Sequence, residues 1–445
     1  MHAGTCRAKT FAVPEPGIQE ERVMNRYLTA FNREPGFASA IATALSLFVL
    51  FASAQARASD SVERWNIAMT DFSAGQAPPG IPPMVEARGY AMAHIAMLQA
   101  LRAARASATP ANGHAAIAAA AHGVLVSVFA PFGPNPFDSV YQTELANIAD
   151  GPAETRGVSI GEDAAAAMLA TRADEDIFAA LGAPYTPGTE PGDYQATPPT
   201  NVIVGAGWSA MKTFVVRSPK QFRAPRPYTS LRSLDYAMDV NEIQLLGRAL
   251  DSGRTTDQTA IAFYRYESSP FAWNRIARKV SGGLPLLEHA RLYAALNAAL
   301  ADAYSTSLES KFHFNFWRPI TAIRAAGTDG NPLTVADETW EPAFVTPPIP
   351  DYPSGHAAAG GAAAEVIEAF VGPGRSFTHV STTGPLSGVP GGDTRTFGSV
   401  QRAAVENAYS RMLVGIHFRR ACTEGLEQGR QIGQYVVEHA GFLHD

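Results

Sequence analysis

Apolar residues recur every three or four positions along most of the chain, and that spacing predicts helices. Tyr90, Ile95, Leu98 and Leu101 fall on one face of a segment, and Leu286, Ala290, Tyr293, Leu296, Leu300 and Ala303 on one face of another. Val405, Tyr409, Met412 and Ile416 repeat the pattern over 402–417, and a further segment runs through Leu426, Ile432 and Val436. Strand patterning is scarce, with Val202–Val204 and Phe214–Val216 the best candidates. Both lie in a Pro- and Gly-rich stretch, roughly 183–235, that reads as a long irregular loop. Loops of that length in a compact domain usually serve function or wrap the surface. The expectation is one all-α domain over residues 59–445, built from bundled helices with few or no strands.

The pattern is different at the N-terminus. Arg26 and Arg33 precede an apolar run from Phe37 to Ala54, and small residues follow at 54–56 and 56–58. That order fits a secretory signal over 24–58, with residues 1–23 an upstream extension and Met24 a possible start. An uncleaved membrane anchor is the alternative. No second apolar run approaches 18 residues, so no transmembrane span is expected in the mature chain, which would be periplasmic or secreted. Removing residues 1–58 takes the net charge from −6 to −8 and removes Cys6, leaving Cys422 alone. An exported chain with one cysteine has no internal disulfide, and Cys422 reads as a small core residue. Without a basic run there is no nucleic-acid footprint, so any anion must be gathered by a local cluster of cations.

Three segments hold such cations. Lys311 and Arg318 are seven apart, nearly two helical turns, which would put both on one helix face. Phe312, Phe314, Phe316 and Trp317 between them point to burial, and buried cations need an anionic partner. The second segment, PDYPSGH at 350–356, precedes an Ala-rich run. Its prolines mark a helix start near Ser354, where free backbone N–H groups favour an anion. Ser354 adds a hydroxyl, Gly355 lets the backbone come close, and His356 is a candidate general acid or base. In the third segment Ser410 and His417 are seven apart and would share a face. Arg411 could chelate two oxygens and His417 could attack or ligate a central atom. Taken singly, each segment also has an ordinary reading: a solvated stripe, an N-cap serine before a packed histidine, a core histidine beside a surface arginine.

Together they resemble the signature shared by type 2 phosphatidic acid phosphatases, bacterial acid phosphatases and vanadium-dependent haloperoxidases. The order Lys-x6-Arg-Pro, Pro-Ser-Gly-His, Ser-Arg-x5-His is matched, with 33 and 53 residues between successive motifs. The stretches KFHFNFWRPITAIR at 311–324, TPPIPDYPSGHA at 346–357, RSPKQFR at 217–223 and GIHFR at 415–419 resemble the bacterial haloperoxidase branch. The resemblance implies two four-helix bundles and a vanadate cofactor, with phosphate as a competing oxyanion. It makes His417 the vanadium ligand, His356 the acid–base group, and Lys311, Arg318, Ser354, Gly355 and Arg411 the oxyanion clamp. Hydrogen peroxide and halide would be the substrates.

Two departures stand out. Four residues after the final histidine the signature carries an Asp that orients the imidazole, and here that position is Ala421. Near the implied halide site the chain has Leu308 and Ile349, where halogenating members tend to carry aromatic or His side chains. Glu267 resembles an acidic position paired with the active-site arginines, a candidate partner for Arg318 or Arg411. His313, two residues from Lys311, either supports the site from outside or is packed. Three functions stay open: a haloperoxidase, a soluble phosphatase acting on small phosphate esters with His417 as nucleophile, and a non-catalytic oxyanion-binding protein. Length and flanking similarity favour the first.

Overall fold

A computed structural model describes residues 60–76 and 80–443, so the expected signal over 24–58 lies outside the described residues. The first run of helices comprises α1 (Ser61–Ala74), α2 (Pro83–Ala106), α3 (Gly113–Phe129), α4 (Phe137–Ala146), α5 (Pro152–Ala170) and α6 (Ile177–Leu181). After the loop come α7 (Leu234–Leu246), α8 (Thr256–Tyr264), α9 (Ser269–Val280), α10 (Leu286–Phe314) and α11 (Pro319–Arg324). The C-terminal part holds α12 (Gly355–Val371), α13 (Val400–Leu413) and α14 (Arg419–His439). The helices start where the side chains say they should. Asp60, Asn112, Thr255 and Ser354 each accept a hydrogen bond from a first-turn N–H, and Thr255 forms a full capping box with Gln258.

The 29-residue α10 joins two bundles. It packs with α2 in one, where α3 and α5 pack on α2 and on each other, and with α12 and α14 in the other, where α13 packs on both. The periodic apolar positions are its contact surface: Ala290, Tyr293, Leu296, Leu300 and Ala303 are all buried. In the second bundle α14 runs close against α12. A Cβ on Gly429 would lie 2.0 Å from the carbonyl oxygen of Ala358, so only glycine lets the two backbones approach.

The strand expectation is overturned. Neither Val202–Val204 nor Phe214–Val216 is a strand, because their backbone groups find other partners. The buried carboxylate of Asp302 on α10 accepts the N–H groups of Phe214, Val215 and Val216 at 2.7–2.9 Å, pinning the loop without a ladder. Among the described residues the sheet is instead a small antiparallel pair, β1 (Phe377–Val380) and β2 (Thr394–Phe397), with Phe377 opposite Phe397. The long loop over 183–235 is irregular, as its composition predicts. One second apolar helix was not anticipated: the span Gly113–Phe132 is long and apolar enough to cross a membrane. In this fold it packs between α2 and α5, which accounts for an alanine-rich core helix.

Candidate functional site

Lys311 and Arg318 reach one place by a different route from the helical one. The helix carrying Lys311 ends at Phe314, and Asn315 takes a left-handed conformation with φ 50°. Arg318 is then the N-cap residue of α11, so the two cations sit on separate elements. Both are almost fully buried. Lys311 Nζ donates to the carbonyls of Pro350 and Asp351 at 2.8 and 2.7 Å. Arg318 donates from Nε to the Ile349 carbonyl at 2.8 Å and from Nη1 to the Ile416 carbonyl at 2.6 Å.

Ser354 caps α12 as expected, its Oγ accepting the Ala357 N–H at 3.3 Å. Gly355 and His356 open the helix, so their backbone N–H groups stand free for a ligand. His356 Nδ1 lies 2.8 Å from Ser269 Oγ on α9. His417 does not share a helix with Ser410. The helix α13 ends at Leu413, and Gly415 makes a turn at φ 83°. A Cβ there would lie 2.2 Å from the Gly247 carbonyl oxygen, so this turn requires glycine. Arg411, in the last turn of α13, donates to the Arg265 carbonyl at 3.3 Å and lies over the Tyr266 ring.

The imidazole of His417 has a carboxylate behind it. Asp351 Oδ1 is 2.8 Å from His417 Nδ1, and Arg318 Nη1 is 3.2 Å from His417 Nε2. Asp351 thus answers the question raised by Ala421. It was visible in the PDYPSGH segment, but no local spacing connects it to a histidine 66 positions on. Ser269, behind His356, was likewise missed, since nothing near it in sequence marks it.

Two other expectations are corrected. Glu267 is buried but pairs with neither Arg318 nor Arg411. Its carboxylate takes Arg275 at 2.8 Å, His379 at 3.4 Å and the N–H and hydroxyl of Thr382 at 2.6 and 2.8 Å. Those donors come from α9 and the β1 end, nearer than the clamp. His313 is exposed on α10, 3.4 Å from Arg223 Nη1, and is neither packed in the core nor part of the site. Cys422 is buried and free, and Leu308 is buried one turn before Lys311.

Burial dominates the electrostatics. It pulls Lys311 well below the usual ammonium range, and the nearby Arg318 charge adds to this. Arg318 and Arg411 are lowered for the same first reason. His417 is held well below its ordinary value by burial, then by Arg318, Lys311, Arg411 and His356. His356 is lowered by burial and by Arg411. Burial pushes the Asp351 carboxyl up to about 7, with Arg318 and Lys311 pulling the other way. Both histidines are therefore neutral near pH 7. With Nδ1–H donated to Asp351, His417 turns its Nε2 lone pair into the cluster, where Arg318 Nη1 faces it at 3.2 Å.

The cluster is left unsatisfied, chiefly on its donor side, with one acceptor, Asp351 Oδ2, also unpaired. Arg318 Nη2, Arg411 Nε and His356 Nε2 are buried with no partner. Buried donors left unpaired cost about 1–3 kcal/mol each, more for charged groups, so such a set marks where an anion belongs.

The family model for the VCPO second helical-bundle domain matches residues 291–445, which contain all of these groups. Vanadium chloroperoxidase of Curvularia inaequalis is 30% identical over 173 residues, 30% of this chain, and the match spans 28% of that protein's length. In structure, the first bacterial vanadium-dependent iodoperoxidase has a TM-score of 0.69 at 23% identity, covering 86% of this chain and 96% of its own. A holo-type bacterial vanadium-dependent chloroperoxidase has a TM-score of 0.63 at 18% identity, covering 85% and 96%. The structural likeness is one of fold. Motif order, the matched domain and the shared fold together support the resemblance to the superfamily of vanadium haloperoxidases and type 2 phosphatidic acid phosphatases, on its bacterial haloperoxidase-like branch.

Proposed function

We propose that the protein is a vanadate-dependent haloperoxidase, which uses hydrogen peroxide to oxidise halide to hypohalous acid. The observation that carries this is the set of buried donors without partners, Arg318 Nη2, Arg411 Nε and His356 Nε2, gathered about a neutral histidine. Three cations, the Ser354 hydroxyl and the free N–H groups at the start of α12 fit a tetrahedral oxyanion. His417 Nε2 would ligate vanadium, and Lys311, Arg318, Ser354, Gly355 and Arg411 would hold the oxygens. Vanadate in that place supplies a Lewis-acidic centre for peroxide. The chain's own part is to bind and orient the anion, to keep it from water, and to handle a proton at His356 Nε2. His356 is suited to that role because its Nδ1 is held against Ser269 and its Nε2 is unspent.

The second reading rests on the same imidazole. A neutral His417 backed by a carboxylate is also a nucleophile, and phosphate has vanadate's shape. One titration separates the two. A haloperoxidase is inactive as apoprotein, gains halide- and peroxide-dependent activity with vanadate, and loses it to competing phosphate. A phosphatase hydrolyses a phosphomonoester without metal and is inhibited by vanadate, which would overturn the first reading. Vanadate binding with neither activity would leave a non-catalytic oxyanion-binding protein. Export over residues 24–58 belongs to the same proposal. The mature chain is expected to begin at 57 or 59, read by intact mass of periplasmic protein.

A further inference from the structure

We propose that Asp351 is the positioning residue for His417, holding from the loop before α12 the imidazole that Ala421 cannot reach. The inference deepens the functional reading, because it concerns the same site. Its basis is geometric. Asp351 is fully buried, and its Oδ1 is 2.8 Å from His417 Nδ1. Its own backbone is fixed: its N–H donates to the Phe316 carbonyl at 2.9 Å, and its carbonyl accepts Lys311 Nζ at 2.7 Å. The carboxylate also stands 3.8 Å from Arg318 Nη1. A single residue therefore touches groups from the first and third motifs while lying three positions before Ser354 in the second.

The exchange of positions is spatially reasonable. Ser354 N–H donates to the Ala421 carbonyl at 2.9 Å, so the start of α14 runs directly beside the loop that carries Asp351. A carboxylate lost from one element has been supplied by its neighbour. The consequence differs from that of an Asp on α14. A residue on α14, which starts two residues after the histidine, would orient the ring alone, whereas Asp351 ties ring orientation to the placement of Lys311 and Arg318.

The alternative is that Asp351 only balances the charge of Arg318 and Lys311. Imidazole nitrogen NMR of the apoprotein, with 15N-labelled histidine, distinguishes the two, because charge balance alone does not fix a tautomer. Wild type is expected to show His417 as the Nδ1–H form. In Asp351→Ala that form should give way to a mixture, and orthovanadate should bind about 10–100-fold more weakly. Asp351→Ala with Ala421→Asp should recover the Nδ1–H form and part of the affinity, since the tie to Lys311 stays broken.

Should Asp351→Ala not fold, Asp351→Leu decides the matter. One oxygen, Oδ1, faces both His417 Nδ1 and Arg318 Nη1, so an amide could keep the tautomer, whereas leucine fills the space and offers Nδ1 no acceptor. The expected result is a folded protein with mixed tautomers and weakened orthovanadate binding. An unchanged Nδ1–H signal in either Asp351 variant would overturn the proposal, as would wild-type affinity. Because the NMR readout needs no vanadate, a wild type without peroxidase activity counts against the functional reading and leaves this test intact.

Discussion

Two buried polar clusters hang on the same helix, and they are built differently. Toward the middle of α10, Asn297 meets Asn66 of α1, His94 of α2 and Asn274 of α9 in a closed network. Asn66 donates to Asn274 at 2.7 Å, and Asn274 and Asn297 exchange bonds at 2.8 and 3.0 Å. His94 bonds the Tyr90 carbonyl at 2.8 Å and Asn66 at 3.2 Å, while Arg278 donates to the Asn66 oxygen. None of the side-chain atoms of Asn66, His94, Asn274 and Asn297 is left unpaired. About 21 Å along the same helix, at the 1.5 Å rise per residue, lies Lys311 and the second cluster. There three nitrogens, Arg318 Nη2, Arg411 Nε and His356 Nε2, find nothing, and neither does Asp351 Oδ2. A network that closes on itself fixes helices against one another; one that stays open is a receptor for what would close it.

The largest expected effect lies in the open cluster. Arg411→Ala should cost about 10²–10³-fold in oxyanion-dependent turnover, as loss of one preorganised donor does. Thermal stability of the apoprotein should hold or rise, because a desolvated cation without a carboxylate partner is removed. Steady-state rates and thermal unfolding of the same preparation test both halves. A variant that lost stability but kept its rate would break the comparison.

In the closed cluster the expected signs are exchanged. Asn274→Ala takes a partner from Asn66 and from Asn297 and should cost about 2–6 kcal/mol, at 1–3 kcal/mol for each of the two. Urea unfolding measures this, and the affinity of the folded protein for orthovanadate should not move.

Closing the open cluster with its ligand should contribute stability. At orthovanadate about 100 times its dissociation constant, unfolding should cost about 2.7 kcal/mol more. The increment should survive in Asn274→Ala and disappear in Arg318→Ala. An equal increment in Arg318→Ala would mean that the anion binds elsewhere.

The smallest effect is a pH slope from the closed side. Burial chiefly holds His94 down to about 4, with the Tyr90 carbonyl raising it and Arg278 lowering it. The unfolded value is near 6.5, so the depressed group's stability is present above about 6.5 and is lost as pH falls toward about 4. Between pH 7 and pH 5.5 this should remove about 1 kcal/mol. Denaturation at stepped pH would show the slope, and His94→Gln should flatten it.

Helices α2, α10, α13 and α14 could be read from apolar spacing, because a buried face at 3.6-residue period is a local property, whereas the alanine-rich α3 could not. The motif residues could be read too, since the chemistry of an oxyanion limits which side chains serve. Ser354 as N-cap came out as its flanking prolines and alanines say. How the site is assembled could not be read. Lys311 and Arg318 looked like neighbours on one helix, yet Asn315 breaks that helix and the cations meet across a turn. Ser410 and His417 are parted in the same way by Gly415. Glu267 had the right charge for the arginines, but Arg275, His379 and Thr382 were closer. Phe214–Val216 had strand-forming residues and took its hydrogen bonds from Asp302 instead.

By itself, then, the amino-acid order determined the helical class, the identity of the cations and histidines, and the absence of a carboxylate at Ala421. Only the tertiary structure decided which carboxylate stands behind His417 and which donors remain without partners. The reason is physical: local propensity acts over a turn or two of chain, whereas hydrogen-bond satisfaction is settled among residues that meet only after the helices pack.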